Sequence, residues 1–156
     1  MSSIFRHSAG FGRRIEYWII GRMLKDGLDV YVPLVDDDGI DAIVRKNDGT
    51  IIEFQIKARS NTVKLGSAGL FAAIQHETVR PNYYFVLYSE RMDKTWVISS
   101  AEFIRLTKPN KNGKNAGKRT VWLNGTKLDK NINQRKEYPN EKFSPFLVDD
   151  FSKFRT

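Results

Sequence analysis

Cysteine is absent from the 156 residues, which excludes disulfides and thiolate metal sites and makes a reducing cytoplasm the simplest setting. Nowhere do 18 apolar residues run together, so no membrane-spanning helix is expected. The N-terminal stretch "MSSIFRHSAGFGRR" has no apolar segment of the kind a signal peptide needs. The expectation is a soluble, cytoplasmic protein without a membrane partner. Histidine is scarce: His7 is read as part of a loose N-terminal stretch and His76 as a surface residue on the polar side of a helix. No internal repeat is visible.

Apolar side chains are plentiful. They make up 40% of the chain and include ten Phe, six Tyr and three Trp, enough for one domain spanning 1–156 but not for two. Net charge is +8, unevenly spread. Between Arg105 and Lys142 eleven Lys or Arg stand against three acids, Asp129, Glu137 and Glu141, so the remainder of the chain is neutral. Such a segment suits the footprint of a polyanion, with Lys111, Lys114, Lys118 and Arg119 as candidate nucleic-acid contacts. A solvated basic loop is the alternative.

Along the chain, "FGRRIEYWIIGRMLKDG" places Phe11, Ile15, Trp18, Ile19 and Met23 at helical spacing, with Gly27 as a stop. "LDVYVPLV" reads as a short strand whose Pro33 argues for a sheet edge or a strand end. "GIDAIVR" and "TIIEFQIKA" read as strands around Lys-Asn-Asp-Gly, a hairpin signal. "SAGLFAAIQHETV" is expected to be a helix closed by Pro81, with the glycines of "GSAG" (Gly66 to Gly69) at its start, where backbone amides could meet a phosphate. "NYYFVLYS" has the look of a strand buried on both faces, "KTWVISS" of a further strand, and "SAEFIRL" of a short helix capped at Ser99 or Ser100. Thr107 to Asn115 reads as a loop, "RTVWLNG" as a candidate strand, and "FSPFLVDDFSKF" as a segment docking back on the core. This divides the domain into a core of about 10–106 and a basic C-terminal extension of about 107–156.

The hairpin carries the chemistry. Alternation across a strand puts Ile51, Glu53, Gln55 and Lys57 on one face, about 6.8 Å apart in steps of two, and uniformly apolar Ile52, Phe54, Ile56 and Ala58 on the other. Cross-strand partners share a face. A turn centred on Asp48 sets Asp41 opposite Gln55, whereas a shift of one residue would strand its carboxylate in the apolar face at a cost of several kcal/mol. Oxygen donors without Cys or His suit Mg²⁺ or Mn²⁺. A solvated outer face, or a plain Asp41–Lys57 ion pair, would produce the same row.

The element order helix–strand–strand–strand–helix–strand, with Asp41 followed by Gln55-Ile56-Lys57, resembles the PD-(D/E)XK nuclease superfamily over about residues 10–90. It looks most like the branch with Q-x-K in place of (D/E)-x-K, as in Mrr-like restriction enzymes, and is also similar to archaeal Holliday-junction resolvases. Ile40 stands where the family usually has Pro, and Gln55 where it usually has an acid. The resemblance implies an α/β restriction-endonuclease-like core, αβββαβ, with a central mixed sheet flanked by helices. It implies a metal-dependent DNA endonuclease of restriction or repair type, leaving 5′-phosphate and 3′-hydroxyl ends. Asp41 would anchor the metal with Gln55 and Glu53, Glu16 would match the acid of the first helix, Lys57 would orient the attacking water, and Arg59 would contact phosphate. Double-strand cleavage would suit a homodimer. A catalytically inactive module of the same fold, acting by binding alone, remains open.

Overall fold

The structure, a computed structural model, describes residues 7–156. Helix α1 (Ser8–Lys25) is capped by His7, whose ring nitrogen accepts from the Gly10 amide. It buries Phe11, Ile19, Ile20 and Met23, a stripe at the spacing that faces a sheet. Trp18 departs from the periodicity. It is 43% exposed, lying at the rim against Tyr88 and under the Arg22 guanidinium, where an amphipathic ring can cover an edge without being enclosed.

Strands β1 (Asp29–Tyr31), β2 (Ala42–Arg45) and β3 (Ile51–Arg59) follow as an antiparallel meander. Ile43 pairs with Glu53 and Arg45 with Ile51, the register of a turn centred on Asp48, whose carboxylate accepts from the Thr50 amide. β1 is the outer strand of the sheet and ends before Pro33, because proline cannot donate to a ladder.

The helix expected over "SAGLFAAIQHETV" is not there. The segment contains strand β4 (Leu70–Ile74), which pairs with the distant β7 (Arg119–Trp122). A shift in register between Phe71 and Ile74 accompanies the positive φ of 58° at Ala73, and turns both large side chains inward. That irregularity spaces the buried residues three apart and imitates a helical period. The αβββαβ order is therefore corrected to one helix followed by six strands before the next helix.

β5 (Tyr83–Ser89) pairs parallel with β3, and β6 (Lys94–Ser99) returns antiparallel beside it. Helix α2 (Ser100–Leu106) opens on Ser99, whose hydroxyl accepts from the Glu102 amide. After β7, the hairpin β8 (Asn124–Asp129) and β9 (Gln134–Pro139) forms a sheet of its own, and β10 (Leu147–Val148) adds to β6. The main sheet runs β1-β2-β3-β5-β6-β10 and is mixed, as expected for an α/β protein with helices on its faces.

Two apolar layers sandwich it. On one face Ile19 and Met23 of α1 meet Val44, Phe54, Ile56 and Val86, closed by Phe151 and Phe154. On the other, Phe85, Leu87, Trp96 and Ile98 meet Phe103 of α2, with Phe71, Ile74, Val121 and Phe143. The segment "FSPFLVDDFSKF" thus docks on both layers, and residues beyond 106 supply an integral part of the core. No helix among the described residues is long and apolar enough to cross a membrane.

Candidate active site

β3 outlasts its partner. The ladder with β2 ends at Ala42↔Phe54, leaving the β2-side edge of β3 open from Ile56 onward. Asp41 closes the first gap: its amide donates to the Phe54 carbonyl at 2.8 Å, and its Oδ2 accepts the Ile56 N–H at 2.7 Å. A buried amide left unpaired there would cost about 1–3 kcal/mol. Asp41 is thereby fixed in continuation of the register that sets it across from Gln55, and its carboxylate sits between Gln55 and Lys57 in sequence height along β3.

Glu16, on α1, faces the same point. Burial raises its pKa, and the nearby Asp41 charge raises it further. Asp41 is likewise raised, first by burial and then by Asp36, with the Ile56 N–H bond pulling the other way. The Asp36 side chain lies within hydrogen-bonding reach of Asp41, and its Oδ1 is held by the Ile40 amide at 2.6 Å. Lys57 is the cation common to Glu16 and Asp41. Asp36 was not singled out by sequence; the run Asp36-Asp37-Asp38 just before Asp41 is the signal that could have found it.

Gln55 is held by a different device. The Tyr83 hydroxyl lies 2.6 Å from the Gly39 carbonyl and 3.3 Å from Gln55 Oε1, and burial pushes the Tyr83 pKa up to about 12, so it remains a donor. Gly39 has φ 69°, and a Cβ there would come within 2.8 Å of Gln55 Nε2. Only glycine leaves the amide its place. Glu53, the next member of the row, forms an ion pair with Arg80 at 3.1 Å. Arg80 is also held by the Asp38 carbonyl and lies over the Tyr83 ring.

Lys57 and Arg59 open onto a cavity of about 260 Å³, shared with Gly12 and Glu16 of α1 and with Phe71 and Ala72 of β4. Arg59 is partly tied down, donating from Nε to the Ser67 carbonyl at 3.3 Å. Among the described residues no group of three or more His, Asp or Glu side chains is arranged to hold a metal ion. Asp41 has the Glu16 and Asp36 carboxylates as charged neighbours, with Gln55 next along its face of β3, but the three acids do not close into one ligand shell.

Some residues chosen from the sequence lie elsewhere. Lys111 and Lys114 are exposed and Lys118 is half-buried in the 110–118 loop. Arg119 is corrected: it is 8% exposed, and its guanidinium is taken up by the carbonyls of His76, Ile104 and Thr107, so it fastens α2 to β7 instead of meeting a ligand. His76 is corrected as well. It is buried, bonded to the Ser100 hydroxyl at 2.6 Å, and its pKa is lowered, mainly by burial. The "GSAG" amides open no helix; those of Gly66 and Ala68 donate to Glu137.

No protein-family model and no curated protein sequence matches the chain. Among solved structures it is similar to a bacterial homing endonuclease, I-Ssp6803I, with a TM-score of 0.54 and 21% identity over 84% of this chain and 84% of that one. At that identity the likeness is one of fold: a mixed α/β architecture shared with a nuclease.

Proposed function

We propose that this chain is a metal-dependent DNA endonuclease that hydrolyses phosphodiester bonds at the open edge of β3. The observation that carries the reading is the Asp41 carboxylate closing β3 at Ile56, between Gln55 and Lys57, with Glu16 converging from α1. Bringing desolvated carboxylates together is unfavourable, and a divalent cation is the partner that would relieve it. The fold shared with a homing endonuclease supports the same class of chemistry.

Asp41 would hold a Mg²⁺ or Mn²⁺ ion, with the Gln55 amide oxygen and Glu16 beside it. Such an ion supplies Lewis acidity toward the scissile phosphate and lowers the pKa of a bound water. Lys57 donates to the attacking water and to the charge that develops on phosphorus oxygens, where a preplaced cation counts most. Tyr83 and Gly39 keep the Gln55 amide turned into the site. Glu53 would join only if its pair with Arg80 opened.

Nicking of supercoiled plasmid DNA in Mg²⁺, abolished by chelator and by Lys57→Ala, is the expected result. A wild type that leaves the plasmid intact in both Mg²⁺ and Mn²⁺ overturns the reading. The competing reading, a nuclease fold kept for binding alone, draws on the amide at Gln55 in place of a carboxylate and on the lack of a three-acid metal group among the described residues. Calorimetric Mg²⁺ titration separates them. Gln55→Glu should keep or tighten Mg²⁺ binding, Gln55→Ala should weaken it, and Glu53→Ala should change it little. A silent Gln55→Ala with a severe Glu53→Ala would transfer the ligand role to Glu53, and a wild type that binds no divalent ion would favour the binding module.

The basic segment should supply non-specific affinity. Converting Lys108, Lys111, Lys114 and Lys118 to Gln should reduce the slope of log affinity against log salt by about 4 at most, since each phosphate neutralised contributes about 0.9. An unchanged slope would mean that these lysines are merely solvated.

A further inference from the structure

The β8–β9 hairpin pairs with no other strand of the described residues, and a lone two-stranded hairpin is marginal in water. Its base is nonetheless built to be rigid. Glu137 accepts from the Gly66 and Ala68 amides and is gripped by Arg91 at 2.7 and 2.8 Å. Asn124 is buried and takes the Gly69 amide at 2.8 Å. The Tyr138 ring lies so close over Gly125 that a Cβ there would meet its hydroxyl at 2.7 Å. Beyond this anchorage the ribbon stands clear, with Lys127, Leu128, Lys136 and the whole of 130–135 exposed.

Pairing of Lys127 with Lys136 and of Asp129 with Gln134 puts Lys127, Lys136 and Gln134 on one face, opposite the face that carries Glu137. Asp129 is held by Lys136 in an exposed pair at 3.2 Å and Glu137 by Arg91. Lys127 lies over the Tyr138 ring and Arg135 donates to the Thr126 hydroxyl. These two cations and Lys130 are in no ion pair among the described residues, so the ribbon keeps an excess of positive charge. A six-residue ribbon is about 20 Å long with strands about 4.8 Å apart, and the major groove of B-DNA, about 12 Å wide, admits such a ribbon. Lysine and glutamine are side chains that meet guanine and adenine edges there.

We propose that the β8–β9 ribbon enters the major groove of duplex DNA and reads base edges through Lys127, Gln134 and Lys136, making the protein selective for sequence. This rests on the reading of the chain as a DNA-binding protein. Through the Arg91–Glu137 grip the ribbon is fixed to the 61–68 loop that leaves β3 just after Lys57 and Arg59, so a ribbon seated in the groove sets where the scissile phosphate meets the site.

The test is selection from a 40-bp duplex library with a randomised centre, bound to the full chain in EDTA so that no cleavage intervenes. The wild type is expected to enrich a defined motif. Replacing the purines of that motif by their 7-deaza analogues, which removes major-groove acceptors while keeping phosphates and pairing, should weaken wild-type binding about 10-fold or more. The triple variant Lys127→Ala/Gln134→Ala/Lys136→Ala should still bind random duplex within about 10-fold but enrich nothing. A wild type that enriches no motif, is indifferent to 7-deazapurines, or prefers duplex RNA overturns the proposal, as does a triple variant selecting the wild-type motif. Because all arms are run without metal, they fail or succeed independently of plasmid cleavage.

Discussion

Asp41→Asn should abolish cleavage, by at least about 10²-fold, while leaving the melting temperature in chelator unchanged or raised. Asparagine keeps an oxygen for the Ile56 N–H but removes the charge that burial, Asp36 and Glu16 disfavour in the metal-free protein. The anion is what a divalent cation requires, so activity and resting stability are expected to move in opposite directions. Lys57→Ala should lose about 10²–10³-fold in kcat with duplex binding nearly intact, since its neighbours Ile56 and Ala58 carry the packing. Plasmid cleavage, thermal unfolding and duplex binding on the same preparations decide the matter. Parallel losses of melting temperature and activity in both variants would make these residues structural instead.

Glu137→Ala should be the most destabilising single change at a charged residue described above. The carboxylate is 7% exposed and serves Arg91 and two backbone amides at once. Removing it leaves the Arg91 guanidinium without its counter-charge, held only by the Asn61, Val63 and Lys64 carbonyls, and two N–H groups unpaired, a loss of about 3 kcal/mol. For a chain of this size that is about 6–12 °C in melting temperature. The pH dependence follows the same pair. Despite burial, the Arg91 side chain and the amides of Ala68 and Gly66 bring the Glu137 pKa below its usual value. Its folded pKa lies below the unfolded one, so the contribution is fully present above the unfolded value of about 4.5 and is lost as pH falls through the folded pKa. A Glu137→Gln variant should show a flatter decline in stability below pH 4.5 than the wild type; identical profiles would show that the grip on Arg91 contributes nothing to folding.

Much of the site was legible because its determinants are local. The Asp-Gly turn fixes the register of β2 on β3, and strand parity then delivers Asp41 to the face of Gln55 and Lys57. The Ser99 cap and the apolar run of β5 are equally local signals. Misreadings occurred where the deciding partner is far along the chain. "LFAAI" is a strand because β7, nearly 50 residues later, pairs with it, and its irregular register imitates a helical period. Arg119 looked like a phosphate ligand because sequence cannot show three carbonyls converging on it from other segments. His76 reads as a surface residue for the same reason: Ser100 and the aromatic rings of Tyr83 and Phe85, which enclose it, come from later segments.

The strand that carries Gln55 and Lys57 has its back closed late. Phe154 meets Phe54 edge-on at 5.1 Å and also packs on Tyr84, while the Phe151 amide is fastened to Asp26 and the Asp149 carbonyl to Arg22. A chain folded only as far as residue 140 holds all the candidate catalytic residues and has α1 on the rear of β3, but lacks the Phe151 and Phe154 rings that complete that cover. The candidate site is therefore expected to reach its full rigidity only once residues 143–154 have docked on both apolar layers.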